Sequence, residues 1–351
     1  RKYIAISLPE CLKKSISAGI GLFIALIGLK NAGIIEDNPY TFVQFFDFHG
    51  RISSIGTDVD GVVTTSFDVW RQCVPVLVAI LGVFIIAALA RRGLKASVII
   101  GILISTVLYW VMMWEVPSFD VSGISQSFKD FGEIGFLGVF NGDAWSALVD
   151  SSYIGGIFSA IMLVVAFCLV DMFDTLGTIY GTATSAGMLD ENGDPISLDQ
   201  SMLCDSIGTV SGAVLGTSTC TTFVESASGV GAGGRTGFAS VITAACFAVC
   251  LFLSPLASIV PSCATAPALI YVGVLMSKNF AKVDMDDMGS AVPAFLTLIM
   301  MPLTYSISNG IGIGAISYTV IALFTGKFKK KDIIVAIIAL LFICKFVTVT
   351  M

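Results

Sequence analysis

Charge is what this sequence has least of. Asp, Glu, Lys and Arg together make up 13% of its 351 residues, about half the share of an ordinary soluble protein. So few charges cannot cover the surface of a water-soluble chain of this length. Histidine occurs once, at His49, and reads as a solvated residue of a long outer loop. The nine cysteines are scattered, with no CxxC and no metal-ligand spacing, and read as small apolar packing residues. A disulfide-built scaffold is therefore excluded, and so is disorder, because the apolar content is too high. No P-loop occurs, which sets aside ATP-driven chemistry within this chain. The formal charge of −6 disfavours nucleic acid as a partner, since that role wants a basic face.

What is present is apolar: 56% hydrophobic residues, with a mean hydropathy of +0.91. The sequence reads as an all-α polytopic membrane protein whose surroundings are the lipid bilayer of the plasma membrane. Long uncharged stretches predict helices at about 15–29, 72–90, 96–114, 153–170, 237–260 and 309–326. Shorter or broken ones are expected at 202–216, 217–231, 264–277 and 291–306, with a last apolar run at 333–350 interrupted by Lys345. Most of the 35 glycines fall where small residues let membrane helices approach closely. With the N-terminus cytoplasmic, 14 of the 19 basic residues fall inside, including the clusters at Arg91, Arg92, Lys95 and at Lys327–Lys331. The alternation requires 217–231 to count as one crossing. The tail at 333–350 is open between a crossing and an interfacial helix.

Ionisable groups at membrane depth are costly and face cavities, which makes them functional candidates. Asp171 and Asp174 follow directly from an apolar helix at i and i+3, on one face. Either the span ends there and both carboxylates are solvated, or the helix continues through Thr178-Ile179-Tyr180 to a turn at Gly187 and both sit within it. The run Gly216-Thr217-Ser218-Thr219-Cys220-Thr221-Thr222-Phe223-Val224-Glu225 is a poor helix and a fair extended strand between apolar segments. Non-helical backbone at such depth is tolerated where protein buries it or where it lines a cavity. Glu225 would then stand near the first turn of a short half-helix whose amides point toward that cavity. Asp205, inside 202–216, pairs with a polar neighbour or contacts a ligand directly.

At these residues the sequence resembles a known family. Phe173-Asp174-Thr175-Leu176-Gly177-Thr178, the Thr-rich run through Glu225-Ser226, and Gly233-Gly234-Arg235-Thr236-Gly237 look like the nucleobase/ascorbate transporter superfamily. More narrowly they resemble its AzgA-like branch of hypoxanthine/guanine/adenine permeases. Ser17–Phe23, Ser254-Pro255-Leu256, Ala264–Leu269 and Met301–Ser306 extend the likeness from about Leu8 to Lys327. The resemblance implies two inverted repeats of seven segments, arranged as a core and a gate domain, with short strands in segments three and ten. The first helix here then corresponds to segment five, so the first four segments are missing, which agrees with a start at Arg1 instead of Met. On that mapping 1–152 and 263–331 are gate helices, 153–262 is half of the core, and 332–351 is an unassigned apolar tail.

The implied function is secondary active transport: proton-coupled uptake of purine nucleobases by alternating access, with no enzyme activity, no cofactor and no metal. Homodimerisation is compatible with this reading. A carboxylate accepts two N–H donors of a purine edge at once. Glu225 is the expected recognition group, with Thr219, Thr221 and Thr222 as backbone or hydroxyl partners and Phe223 placed to stack or to pack. Asp174 binds the other edge or takes the proton, with Asp171 and Asp205 as further coupling candidates. Uracil-type relatives carry Glu where Asp174 stands and histidines where Thr175 and Thr178 stand. The shorter acid leaves room for a bicyclic base, and the missing histidines remove a histidine proton path. The alternatives are an anion transporter of the same fold and an intramembrane aspartyl protease. Glu225 argues against the first, and the protease leaves both the Thr-rich break and Glu225 unexplained.

Overall fold

The computed structural model describes residues 9–348 apart from 57, 60–61, 95, 116, 118–128, 130, 141, 143–145, 147–159, 162–163, 165–166, 169–170, 173–174, 177, 181, 184–186, 192–193, 218, 224–225, 232, 253–258 and 279. In chain order its elements begin with α1 (Glu10–Asn31), β1 (Ile35–Asn38), β2 (Phe42–Phe45), α2 (Phe48–Ser53), β3 (Asp58–Val59), β4 (Val62–Val63), α3 (Ser66–Arg91) and α4 (Ser97–Met113). After helical residues between 160 and 183 come α5 (Leu198–Val214), α6 (Ser226–Gly231), α7 (Gly237–Phe252), α8 (Ser262–Ser277), α9 (Met288–Leu303), α10 (Ile307–Phe324) and α11 (Ile333–Thr348). Among the described residues, α1, α3 and α10 are long and apolar enough to cross a membrane, and α4, α7, α8, α9 and α11 are shorter apolar helices.

The chain divides into two units: residues 1–23, 126–235 and 275–351, and residues 24–125 and 236–274. In the second unit α3 and α4 pack antiparallel, and small residues set their approach. A Cβ at Gly101 would collide with Ile86, and one at Gly82 would lie 2.6 Å from both Pro267 Cγ and Ser105 Oγ. The core there joins Ile34 and Phe46 to Val69, Cys73, Val76, Met113, Cys263 and Ala266. Helix α3 starts earlier than hydropathy alone suggests, at Ser66, because Thr65 and Asp68 form a reciprocal capping box. Indole N–H groups tie the helix ends: Trp70 donates to the Met112 carbonyl at 2.8 Å and Trp110 to that of Ile259 at 2.9 Å.

Two short hairpins, β1–β2 and β3–β4, depart from the all-α expectation. They lie in the polar loop between α1 and α3, where water and side chains can satisfy a backbone that is not helical. Residues 35–38 pair antiparallel with 42–45, and the Asn38 side chain accepts the N–H groups of Tyr40 and Thr41 to close the turn. Arg51, on α2, donates to Glu36 at 3.1 Å and to Gln72 at 2.7 Å.

In the first unit α9, α10 and α11 pack in sequence. A Cβ at Gly310 would strike Met301, one at Gly314 would strike Thr297, and one at Gly312 would lie 2.6 Å from Phe342 Cδ1. Asp287 caps α9, accepting from the Gly289 N–H and the Ser290 hydroxyl. Mainly the Ser290 bond holds its carboxyl below the usual range. Helix α11 runs back along α10: Asp332 lies beside Tyr318 and Phe342 beside Gly312, while Lys345 reaches Ser308 at 2.9 Å and Asn309 at 3.3 Å. The lysine that interrupts the apolar tail is thus satisfied by neutral oxygens at the start of the neighbouring helix.

Because Pro267 is a rigid ring within a helix, Gly82→Ala is expected to destabilise the protein by about 1–3 kcal/mol. A Cβ at Gly132 meets no heavy atom within 4 Å, so Gly132→Ala should leave stability unchanged. Thermal unfolding of the purified variants in detergent checks both.

Candidate functional site

The first question is whether the chain stays helical past Asp171. It does: residues 171–172, 175–176, 178–180 and 182–183 are helical. The Met188 N–H closes onto the Ala183 carbonyl at 2.9 Å, across Gly187 at φ +66°. Among the described residues helix is therefore found past Asp171 as far as Ala183, Thr178-Ile179-Tyr180 included. Asp171 is half-buried on this helix, while Thr175 and Thr178 are buried. Asp174 lies outside the described residues. At the far end Tyr180 donates to Asp194 at 2.5 Å, and the Lys13 ammonium stands 5.1 Å from the Tyr180 ring centre.

The second feature is the Thr-rich run. Helix α5 stops at Val214 because Gly216 takes φ +72°, which lets the Thr217 N–H return to the Gly212 carbonyl at 2.9 Å. Beyond it the described residues of 217–223 are neither helical nor part of a described strand. The Ser226 N–H then bonds the Phe223 carbonyl at 3.2 Å, and α6 begins at Ser226. Glu225 lies outside the described residues, immediately before that six-residue helix in the sequence.

Side-chain hydroxyls, in place of a ladder, hold the extended run. Thr222 Oγ1 donates to Asp205 Oδ1 at 3.1 Å. Thr221 and Thr175 hydroxyls meet at 3.2 Å. Thr209 Oγ1 lies 2.9 Å from the Cys220 carbonyl and 3.1 Å from that of Asp205, so its single proton has two acceptors. A Cβ at Gly208 would sit 3.7 Å from Cys220 Cβ, an ordinary van der Waals contact. The structure therefore brings Asp205, Thr221 and Thr222 together with Thr175 and Thr209. Thr219 and Phe223 are exposed. Thr175 and Thr209 are the residues that sequence reasoning missed. The spacing carried the signal for one of them: Thr209 is four residues after Asp205, on the same helical face. Among the described residues no group of His, Cys, Asp and Glu could hold a metal ion.

Comparison with known proteins identifies the family of the chain. The Xan_ur_permease model, described as a permease family, matches residues 1–313. The adenine permease AdeP of Escherichia coli is 40% identical over 347 residues, covering 99% of this chain and 69% of its own length. The guanine/hypoxanthine permease PbuG of Bacillus subtilis is 39% identical over 350 residues, covering 99% and 70%. The adenine permease AdeQ of Escherichia coli is 36% identical over 356 residues, again covering 99% and 70%.

Gly216 should be sensitive to any side chain, because an L-residue in the left-handed region costs about 1–2 kcal/mol. Gly216→Ala is expected to lower stability by that order and Gly216→Asn by less, since Asn tolerates the conformation. Unfolding midpoints of the two variants, measured side by side, check the order.

Proposed function

Since the chain belongs to the Xan_ur_permease family, we propose that it takes up purine nucleobases together with protons by alternating access. As a member it is a multi-pass membrane permease and not an enzyme. The observation that carries the proposal is the interrupted segment: an extended run from 217 to 223, then the half-helix α6, with Glu225 at the junction in the sequence. An interruption of this kind places main-chain groups and a carboxylate where a planar base with an N–H edge can bind. The relatives, adenine and guanine/hypoxanthine permeases by name, favour purines as the base. The similarity spans 99% of this chain, so it includes both the Asp174 and the Glu225 regions.

Glu225 accepts the N–H donors of the purine edge, and Thr219 and Phe223, both exposed on the extended run, contribute a polar and a stacking contact. Asp174 binds the opposite edge or carries the coupling proton, with Asp171 one helical turn before it as the second candidate. Residues 1–152 and 263–331 form the gate helices and 153–262 half of the core, which move relative to each other during the cycle. Helix α11, packed along α10, crosses the bilayer with it.

The test is uptake of radiolabelled hypoxanthine, guanine, adenine, xanthine and uracil by the protein expressed in a bacterium lacking its own purine permeases. Purine uptake sensitive to a proton uncoupler, with uracil ignored, is expected. Glu225→Gln should abolish that uptake while leaving expression intact. Uptake of an inorganic anion without any base would replace this reading by the anion-transporter one, and retained uptake by the Gln variant would sink the role of Glu225.

A further inference from the structure

A substrate contact made by the non-helical run from 217 to 223 needs a fixed backbone. Three side chains outside the run supply fixed points at successive residues of it. From α5, Thr209 reaches the Cys220 carbonyl at 2.9 Å. Also from α5, Asp205 accepts the Thr222 hydroxyl at 3.1 Å. From the helix that carries Asp171, the buried Thr175 meets the Thr221 hydroxyl at 3.2 Å. Residues 220, 221 and 222 are thus each held, and by two different helices.

We propose that Thr209, Asp205 and Thr175 are positioning residues that fix residues 220–222 of the extended run and thereby set the affinity for the purine. The proposal rests on the purine-permease reading and deepens it. It also gives Asp205 a different task from proton coupling. Its carboxylate serves as an acceptor for Thr222, and a neutral amide oxygen can serve equally. Thr221 and Thr222 in turn spend their hydroxyls on Thr175 and Asp205, so direct contact with the base falls to Thr219, to Phe223 and to the main chain of the run.

Purine uptake kinetics separate positioning from general damage. Thr209→Val, which keeps shape and removes the donor, is expected to raise KM roughly fivefold, the loss of one net hydrogen bond, with Vmax per surface-exposed protein little changed. Thr209→Ser, which restores the donor, should return KM to the wild-type value. Asp205→Asn should keep uncoupler-sensitive uptake and a near-normal KM, whereas Asp205→Ala should raise KM. An unchanged KM in Thr209→Val, failure of Ser to rescue, or abolished uptake in Asp205→Asn would overturn the proposal. If Thr209→Val fails to reach the membrane, the Asp205 pair decides. Absence of purine uptake by the wild-type protein would instead overturn the substrate reading, and this inference with it. Wild-type uptake with unaltered variants would overturn the positioning role alone.

Discussion

Inside a bilayer an N–H or C=O that leaves the helix has no water to turn to, and each one left unsatisfied costs several kcal/mol. Between α5 and α6, where the resemblance expects such a segment, the described contacts to the non-helical backbone are local or come from side chains. Gly216 reverses the backbone so that α5 can be capped from within, and Thr209 carries a hydroxyl to the Cys220 carbonyl. Paired hydroxyls at Thr175–Thr221 and an acceptor at Asp205 satisfy the side chains of the run itself. Threonine suits the task on both counts. Its β-branch favours extended backbone, and its hydroxyl is donor and acceptor at once.

The rest of the fold answers to a second constraint, which is that lipid gives helices little hydrophobic reason to associate. Close backbone approach and van der Waals contact take over that role, and glycine is where they are achieved. Gly28 lets α1 come within 3.0 Å, measured from an added Cβ, of the Ala266 carbonyl on α8. Gly310, Gly312 and Gly314 do the same for α10, against Met301, Phe342 and Thr297. Polar groups that remain between helices are matched with neutral partners, as at Lys345 with Ser308 and Asn309. A full ion pair sits elsewhere, between Arg71 and Glu115, two half-exposed side chains.

Hydropathy and periodicity made the described helices legible because a membrane span is a long, nearly chargeless run, and boundaries moved at a capping box or a left-handed residue, as at Thr65 and Gly216, and at the start of α1, which begins at Glu10 instead of about 15. The Thr-rich break was legible for the opposite reason: no helix or loop of ordinary composition fits between two apolar segments. The hairpin at 35–45 was not, since Glu36, Asp37 and Asn38 read as loop polarity and only the pairing with 42–45 makes them strand. The tether at Tyr180 and Asp194 was equally hidden, because it joins residues fourteen apart through a turn at Gly187 that a linear reading cannot fold back. Within the candidate site the sequence left open which hydroxyls are committed. Thr221 and Thr222 read alike with Thr219 in one dimension, and only the geometry separates two that hold the backbone from one that faces outward.

The strength of these ties bears on how a transport cycle can proceed. Each net hydrogen bond between uncharged groups is worth about 1 kcal/mol, so a run fixed by a few of them is placed firmly without being locked. A ligand shifts a conformational equilibrium only by its differential affinity for the two states. Differences of a few kcal/mol, which a base with two or three hydrogen bonds can supply, are of the same order as the ties at residues 220–222. Thr209 adds a specific means: its one proton has acceptors on its own helix and on the extended run, 3.1 Å and 2.9 Å away. When the run shifts, that proton can turn back to the Asp205 carbonyl and stay bonded. A buried charge pair in the same place would make each displacement cost the desolvation of an unpaired ion. Of the ties here, two join neutral groups and one ends on the Asp205 carboxylate without a buried counter-charge, so none of them is a charge pair.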